Sequence, residues 1–233
     1  MKKHLLIVLL SNFFFAQNTK ITYNFETNFS ENQMKDENIG FYIKGAQEGA
    51  KNLKLELIYN DSVSIFQPIE SLSINEETDM AKTFCKCEKK IFQKEDSQFY
   101  QNSEMFFQKN KYIIKEPIKD DWKITNESIK INDITCYKAE IIEYISLPNN
   151  SKKEKKIIAW FAPELPSKFG PGGFGNLPGT ILILQNGDVI FKAIEIKKND
   201  KTLLKMDLKG VEVSVEKYNE EVEKSLQGKE IID

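Results

Sequence analysis

The forty residues from Ile157 to Ile196 constrain the fold of this chain more than any other part of its sequence. They begin with a short apolar run, pass through a loop rich in proline and glycine, and end in two apolar runs separated by Gln-Asn-Gly-Asp at 185–188. Asn-Gly between two apolar runs is the signal for a hairpin with a type I′ turn. Because Thr180–Leu184 is apolar on both strand faces, the stretch predicts a central β-hairpin that is buried on both sides.

The loop at 163–179 contains four of the chain's seven prolines and five of its eleven glycines. Proline fixes φ and glycine opens positive φ, so the mixture specifies one winding path. Phe169 and Phe174 indicate an ordered loop, because a solvated linker rarely carries two phenylalanines. Two interpretations stay open: the loop shapes a crossover that lets the buried strands enter the sheet, or it is a recognition loop.

The loop and its flanks resemble the motif of a known family. The matching residues, which are also the candidate recognition residues, are Trp160, Pro163, Pro166, Gly170, Pro171, Leu177, Pro178, Gly179 and Ile181. In this pattern the chain resembles the GLPGLI family of exported Bacteroidetes proteins, although Asn176 and Thr180 replace the first Gly and the second Leu of the motif. The resemblance extends from Trp122 to about Ile196. It implies an envelope protein of unknown biochemical role and brings no catalytic residues.

The first sixteen residues have the pattern of a signal peptide, with two lysines, an apolar run and a small residue, Ala16, at the expected cleavage site. The prediction is a signal peptide at 1–16 and one β-rich domain at 17–233. No cysteine occurs before Cys85, so there is no site for a lipid anchor. The expected location is therefore the periplasm, the outer-membrane surface or the exterior, and the protein is not expected to be an integral membrane protein.

Composition excludes several kinds of chemistry. The single histidine, His4, lies in the predicted signal peptide, so the mature chain has no imidazole for Ser-His-Asp or Cys-His catalysis or for a zinc site. All 33 basic residues are lysines, interspersed with 35 acidic residues, which argues against nucleic-acid binding. No catalytic residue, cofactor or metal ligand is predicted.

Three cysteines remain in the mature chain, an odd number for an exported protein. A disulfide from Cys136 to Cys85 or Cys87 is one interpretation, since it would close a loop of about fifty residues. Reduced, buried thiols are the second. A Cys-x-Cys metal or redox site is the third, although a fourth ligand is not evident.

Alternating apolar and polar residues predict many strands. The expected strands are 20–29, 53–57, 62–66, 82–92, two within 99–114, 122–131, 134–145, 157–160, 180–184, 189–196 and 204–209. Polar segments at 31–38, 71–80 and 147–156 are expected to be loops, and 44–52 is either a short helical turn or a flexible excursion. A helix follows Ser214, whose hydroxyl can cap it.

These elements predict a mainly β (α+β) fold: a large curved antiparallel sheet or open barrel with a C-terminal helix, comparable to periplasmic lipoprotein carriers. The favoured function is non-catalytic binding of an apolar ligand, a peptide or an envelope partner. One alternative is an envelope hydrolase that uses carboxylates or a thiolate. The other is a structural or assembly subunit that pairs through a sheet edge.

Overall fold

One sheet takes in most of the chain, which the computed structural model describes at residues 18–70, 75–102, 111–146 and 151–227. The predicted signal peptide lies outside these residues. The twelve strands of the described residues are β1 (Asn18–Thr27), β2 (Lys54–Tyr59), β3 (Val63–Pro68), β4 (Ile91–Lys94), β5 (Ser97–Gln101), β6 (Tyr112–Pro117), β7 (Lys123–Ile131), β8 (Ile134–Ser146), β9 (Lys152–Ala162), β10 (Thr180–Asn186), β11 (Val189–Asp200) and β12 (Val211–Ser214).

The strand order is β12-β6-β5-β4-β3-β2-β1-β11-β10-β9-β8-β7, antiparallel except for the parallel pair β12 and β6. Five residues, 118–122, connect β6 in the second position to β7 in the last. In a flat sheet these strands would lie about 48 Å apart at about 4.8 Å per strand. The connection spans at most about 20 Å when fully extended. The sheet must therefore curl strongly, which confirms the predicted curved sheet and the mainly β class.

Tight turns hold most of the hairpins that the sequence predicts. Asn132 and Asp133 both have positive φ, 46° and 64°, as a two-residue type I′ turn between β7 and β8 requires. Strands β2 and β3 pair as expected, with Leu57 opposite Phe66. The hairpin of β10 and β11 is also present near the middle of the sheet, and β10 is buried on both faces over most of its length, whereas β11 is half-exposed.

The turn of the β10–β11 hairpin differs from the expectation by one residue. Asn186 pairs with Val189 as the last residue of β10, and the turn consists of Gly187 and Asp188. Only Gly187 of these two has positive φ, 65°. Glycine at the first central position suits a type II′ turn rather than the predicted type I′ turn. The side chain of Asn186 is thereby placed on the sheet, on the same face as Ile157, its partner in β9.

The Pro/Gly loop, residues 163–179, packs against the inner face of the curled sheet. It leaves β9, crosses to β4 and returns to β10, with a single 3-10 turn at Pro171–Gly173. The Gln93 side chain donates to the Phe174 carbonyl at 3.0 Å and accepts from the Gly170 N–H at 3.3 Å. The indole N–H of Trp122 donates to the Gly175 carbonyl at 2.8 Å. The loop therefore joins both halves of the sheet and fills much of its interior.

Four helices complete the described part of the chain: α1 (Glu31–Lys35), α2 (Gly40–Ala50), α3 (Glu76–Cys85) and α4 (Val215–Gln227). The fourth confirms the expected C-terminal helix. Helices α1 and α3 correct the prediction, because 31–35 and 76–80 were expected to be loops and 82–92 a strand, whereas α2 agrees with the helical alternative left open for 44–52. Each correction has a local cause. Ser30 and Gln33 form a capping box at α1, and Asn75 caps α3 by accepting from the Thr78 N–H at 2.9 Å.

Two further predictions on strands were wrong. Residues 152–156 continue β9 instead of forming a loop, because they pair with β8 from Ile142 to Ser146. Residues 204–209 form no strand. Leu204 and Leu208 instead pack over a small outer cluster of Ile65, Phe92 and Phe99. An irregular segment can cover an apolar patch while its backbone stays hydrated. The alternating apolar residues therefore pack against the cluster without forming the backbone hydrogen bonds of a strand.

Candidate functional site

A cavity of about 480 Å³ lies on the inner face of the sheet, between the end of α3 and the Pro/Gly loop. Its floor is apolar and includes Ile91, Phe174 and Phe191. Its walls carry three lysines, Lys86, Lys89 and Lys155, and polar groups described below, so we call it the lysine cleft. Its volume falls within the range of about 300–1,000 Å³ that small-molecule sites occupy.

Helix α3 ends at the rim and supplies two of the lysines. Lys86 follows the helix in the left-handed conformation, with φ of 55°, and its N–H donates to the last turn of α3. This C-cap reverses the chain, so that Lys86, Glu88 and Lys89, which follow the helix, line the cleft before β4 begins at Ile91. The Lys89 ammonium lies 5.2 Å from the centre of the Tyr100 ring, a cation–π contact.

Lys155 reaches the cleft from the other half of the sheet. It lies two residues before Ile157 on β9 and therefore shares the inner face with that buried residue. Its side chain runs along the β10–β11 turn, since a Cβ placed on Gly187 would lie 3.7 Å from Lys155 Cε. The neighbouring Asn186 also lines the cleft. Strands β5 and β9 meet at one cavity only because the sheet curls.

Glu116 is the centre of the hydrogen bonds in the wall formed by β5 and β6. Its carboxylate accepts from the Gln98 amide at 2.7 Å and from the Tyr100 hydroxyl. Burial raises the pKa of Glu116. Burial and the nearby carboxylate raise the pKa of Tyr100 to about 12, so the phenol stays protonated and keeps donating. Two neighbouring side chains thus hold this carboxyl group in place.

The lysines of the cleft are short of negative partners. Within the described residues, none of Lys86, Lys89 and Lys155 forms a salt bridge, and Glu88 at the rim accepts from the Thr83 hydroxyl at 2.6 Å. Burial lowers the pKa of Lys89, although the nearby charges of Glu88 and Glu116 act in the opposite direction, and burial followed by repulsion from Lys86 lowers the pKa of Lys155. Unpaired ammonium groups that repel one another favour an anion.

A fourth lysine stands at the edge of this site. The Lys119 ammonium pairs with Glu143 and lies 5.6 Å from the centre of the Phe174 ring. Burial, and then repulsion from Lys155, lower the pKa of Lys119. The positive field of the cleft therefore reaches the short connection between β6 and β7.

The candidate residues of the Pro/Gly loop divide into two groups. Gly170, Pro171, Leu177, Gly179 and Ile181 are buried. Gly179 has a φ of 154° and passes so close to the Ala162 carbonyl that a side chain would collide with it. These residues serve the packing of the loop inside the sheet.

The other motif residues face outward. Trp160 is half-buried on the opposite face of β9, and Pro163, Pro166 and Pro178 are exposed. The loop therefore presents three prolines to solvent, on the side away from its packed phenylalanines. A recognition role for these residues stays a prediction.

The cysteines are arranged differently from the expected pairing. Cys85 and Cys87 are joined to each other by a disulfide, and Cys136 is a free, buried thiol on β8. The left-handed residue between the first two brings their Cα atoms to 5.2 Å, within the bonding range of about 4.4–6.8 Å. The expectation of a Cys136 bond assumed that 82–92 is a strand, and helix α3 removes that assumption.

A free thiol can act as a nucleophile, but Cys136 is not activated for that role. Burial raises the pKa of Cys136 to about 11, so this cysteine is a neutral thiol at physiological pH. Among the described residues no group of three or more His, Cys, Asp or Glu side chains could hold a metal ion. None of the helices described here is long and apolar enough to cross a membrane.

Comparison with known proteins places part of the chain in a known sequence pattern. A family model described as "Protein of unknown function (Porph_ging)" matches residues 122–183, from the start of β7 into β10. The matched segment thus comprises the β7–β9 strands and the whole Pro/Gly loop. No curated protein gave a significant match.

Solved structures of PNGF-II, in P21 and C2 crystal forms, share the fold. Each aligns with a TM-score of 0.52 at 19% identity and covers 90% of this chain. The aligned part is 34% and 33% of those chains, so this chain spans about a third of their length. At this identity the likeness concerns the fold alone.

Sequence reasoning did not find the lysine cleft. Its lysines come from two separate segments, 86–89 and β9, and nothing in their spacing links Lys86 to Lys155. One signal was available for the first part of the site: Asn75, followed by Glu76, Glu77 and Asp79, is the start of a helix with acids in its first turn. The rest depends on the curl of the sheet.

Proposed function

We propose that the chain is an exported cell-envelope protein, related to the GLPGLI family, that binds a ligand without transforming it. The signal peptide at 1–16 and the disulfide between Cys85 and Cys87 support export to an oxidising compartment. The family match over 122–183 supports the relationship, because the resemblance to the GLPGLI motif begins at the same tryptophan. One domain at 17–233 is part of the proposal.

The lysine cleft is the ligand site, and the ligand is an anion. The single observation that carries this is the set of three lysines, Lys86, Lys89 and Lys155, that enter one cavity without a salt bridge in the described part of the chain. Lys86 is exposed, whereas Lys89 and Lys155 are half-buried, and a charged group that loses hydration without gaining a partner costs stability. A bound anion would supply that partner and recover the cost.

This site favours an anion over the apolar ligand that the sequence suggested. Leu165, Phe169, Phe174 and Leu177 of the Pro/Gly loop occupy the apolar interior of the sheet themselves. The remaining open volume is the part of the cavity lined by lysines, amides and Glu116. An apolar molecule would leave these polar groups dehydrated and unpaired.

Binding is favoured over hydrolysis for reasons of arrangement. A hydrolase of this kind needs two carboxyl groups that face each other across the scissile bond. Here Glu116 accepts from Gln98 and Tyr100, and Glu88 accepts from Thr83. Assembly through a sheet edge is also less favoured, because the outer strand β7 is exposed and carries alternating charges that discourage strand addition.

Native mass spectrometry of the protein purified from its own envelope tests the proposal. We expect a monomer that carries a small anionic adduct, which dissociates on unfolding. A lipid adduct would support the apolar-ligand alternative, and a stoichiometric protein partner would support assembly. Either result in place of the anion would contradict the proposal.

The variant Lys155→Gln connects the adduct to the cleft. Loss of one charge-assisted contact should weaken anion binding about tenfold, equivalent to about 1.4 kcal/mol. Lys153→Gln is the matched control, because Lys153 lies two residues away on the same strand and face but is exposed and outside the cleft. Equal losses in both variants would show that general charge, not the cleft, holds the anion.

A further inference from the structure

Asn186 carries a polar atom that the fold leaves unused. Its Oδ1 is buried. Among the described residues, no other buried side-chain nitrogen or oxygen lacks a hydrogen-bond partner. Native proteins pair nearly all such atoms, and each exception calls for an explanation. The residue lines the lysine cleft, and a rotation of its side chain would turn this oxygen, which has almost no accessible surface in its present position, toward a ligand in that cleft.

The position of Asn186 relative to Lys155 restricts that ligand. Asn186 lies opposite Ile157, and Lys155 lies two residues before Ile157 on the same face. Diagonal neighbours of this kind are about 7–8 Å apart. One small molecule can therefore reach the amide and the ammonium together.

Lys155 and Asn186 require different functional groups on the ligand. The ammonium of Lys155 binds an acid, whereas the amide oxygen of Asn186 needs a donor. A hydroxyl suits the amide in either of its two orientations, because a hydroxyl both donates and accepts. A simple inorganic anion supplies only the first of these contacts.

We infer that the ligand of the lysine cleft is a small polyhydroxylated anion, a sugar that carries a carboxylate or a phosphate. Its acidic group lies among Lys86, Lys89 and Lys155, and one of its hydroxyls donates to Asn186 Oδ1. The apolar floor of Phe174 and Phe191 accommodates the C–H face of the ring. This inference rests on the proposed function and names the class of ligand for the same site.

Calorimetric titration of the full-length, envelope-purified protein with four probes separates the contributions. Glucuronate carries both a carboxylate and hydroxyls, cyclohexanecarboxylate carries the acid on a bare ring, and glucose carries hydroxyls without charge. Glucose 6-phosphate distinguishes the two sources of negative charge. We expect glucuronate, glucose 6-phosphate or both to bind at least tenfold more tightly than cyclohexanecarboxylate and glucose.

Two variants assign the contacts. Asn186→Leu should reduce the preference for the hydroxylated anion over cyclohexanecarboxylate about tenfold, and Lys155→Gln should weaken every anion and leave glucose unchanged. If cyclohexanecarboxylate binds the unaltered protein as tightly as glucuronate, the inference is wrong while anion binding stands. If none of the anions binds, the proposed function fails with it. The comparison of probes on the unaltered protein decides the matter even where a variant does not fold.

Discussion

The attachment of the Pro/Gly loop to the sheet depends on Gln93, and its replacement by leucine is the most informative test of the fold. Gln93 is fully buried. Its amide donates to the Phe174 carbonyl at 3.0 Å, and its oxygen accepts from the Ser64 hydroxyl at 3.0 Å and from the Gly170 N–H at 3.3 Å. Gln93→Leu keeps the approximate volume and removes all three contacts.

The expected loss follows from the groups that would be left unpaired. Each buried donor or acceptor without a partner costs about 1–3 kcal/mol, and three arise at once. Burial of the leucine side chain returns about 1.5–3 kcal/mol. At the middle of both ranges the net destabilisation should be about 4 kcal/mol, a large part of the roughly 5–15 kcal/mol that holds a domain folded.

Urea unfolding followed by tryptophan fluorescence measures this loss, since Trp122 donates to the loop at Gly175. The midpoint should fall while the slope stays constant. Gln67→Leu is the control, because half-exposed Gln67 lies on the opposite face of β3 and bonds Glu56, a buried carboxylate that keeps its ion pair with Lys20. Its loss should stay below about 1 kcal/mol.

A second mutation makes the test stricter. In the double variant with Ser64→Ala, the serine hydroxyl is no longer left unpaired, so the double variant should lose less stability than the sum of the two single losses. Strict additivity, or a Gln93→Leu loss no larger than that of the control, would refute the role assigned to Gln93.

Three further predictions concern export, disulfide pairing and pH. The mass of the exported protein should correspond to a first residue of Gln17, and an unprocessed chain would contradict export. Non-reducing trypsin digestion should leave the Cys85 and Cys87 peptides joined although the lysine between them is cleaved; a Cys136 peptide in that product would contradict the pairing. Hydrogen bonds from Thr202 hold the pKa of Asp200 at about 2, below its ordinary value of 3.8. The stabilisation that Asp200 contributes is complete above about pH 4 and is lost as the pH falls through about 2. The Asp200→Asn variant should therefore have a lower thermal unfolding midpoint than the unaltered protein above about pH 4, and this difference should disappear as the pH falls to about 2.

The strands and turns were predictable because their determinants are local. Alternation of side chains set β1, β2 and β8, and Asn132 and Asp133 set the turn between β7 and β8. The C-terminal helix was predictable from the spacing of Val215, Tyr218 and Val222. Each of these signals acts within about ten residues.

The features that the sequence did not predict depend on competition between local signals or on contacts between residues far apart in the chain. Cysteine and phenylalanine at 84–87 suggest a strand, but the cap at Asn75 and the burial of Ala81 and Cys85 on one helix face against α2 determine a helix. Asn186 appeared as a turn residue, and only the conformation of Gly187 shifts the turn by one position. The lysine cleft assembles from β5, β9 and α3, which no local pattern connects.

The energetics of the cleft separate its role from that of the scaffold around it. At Gln93 every buried polar group has a partner, as expected where polar residues support a fold. At Lys155 and Asn186 the opposite holds, because an ammonium without a salt bridge and an amide oxygen without a donor both weaken the folded state. Groups that cost stability and share one cavity are arranged for something other than folding. A ligand that brings an acid and a hydroxyl together would satisfy both at once, which is why the cleft rather than the exposed prolines of the loop is the stronger candidate for the function of this protein.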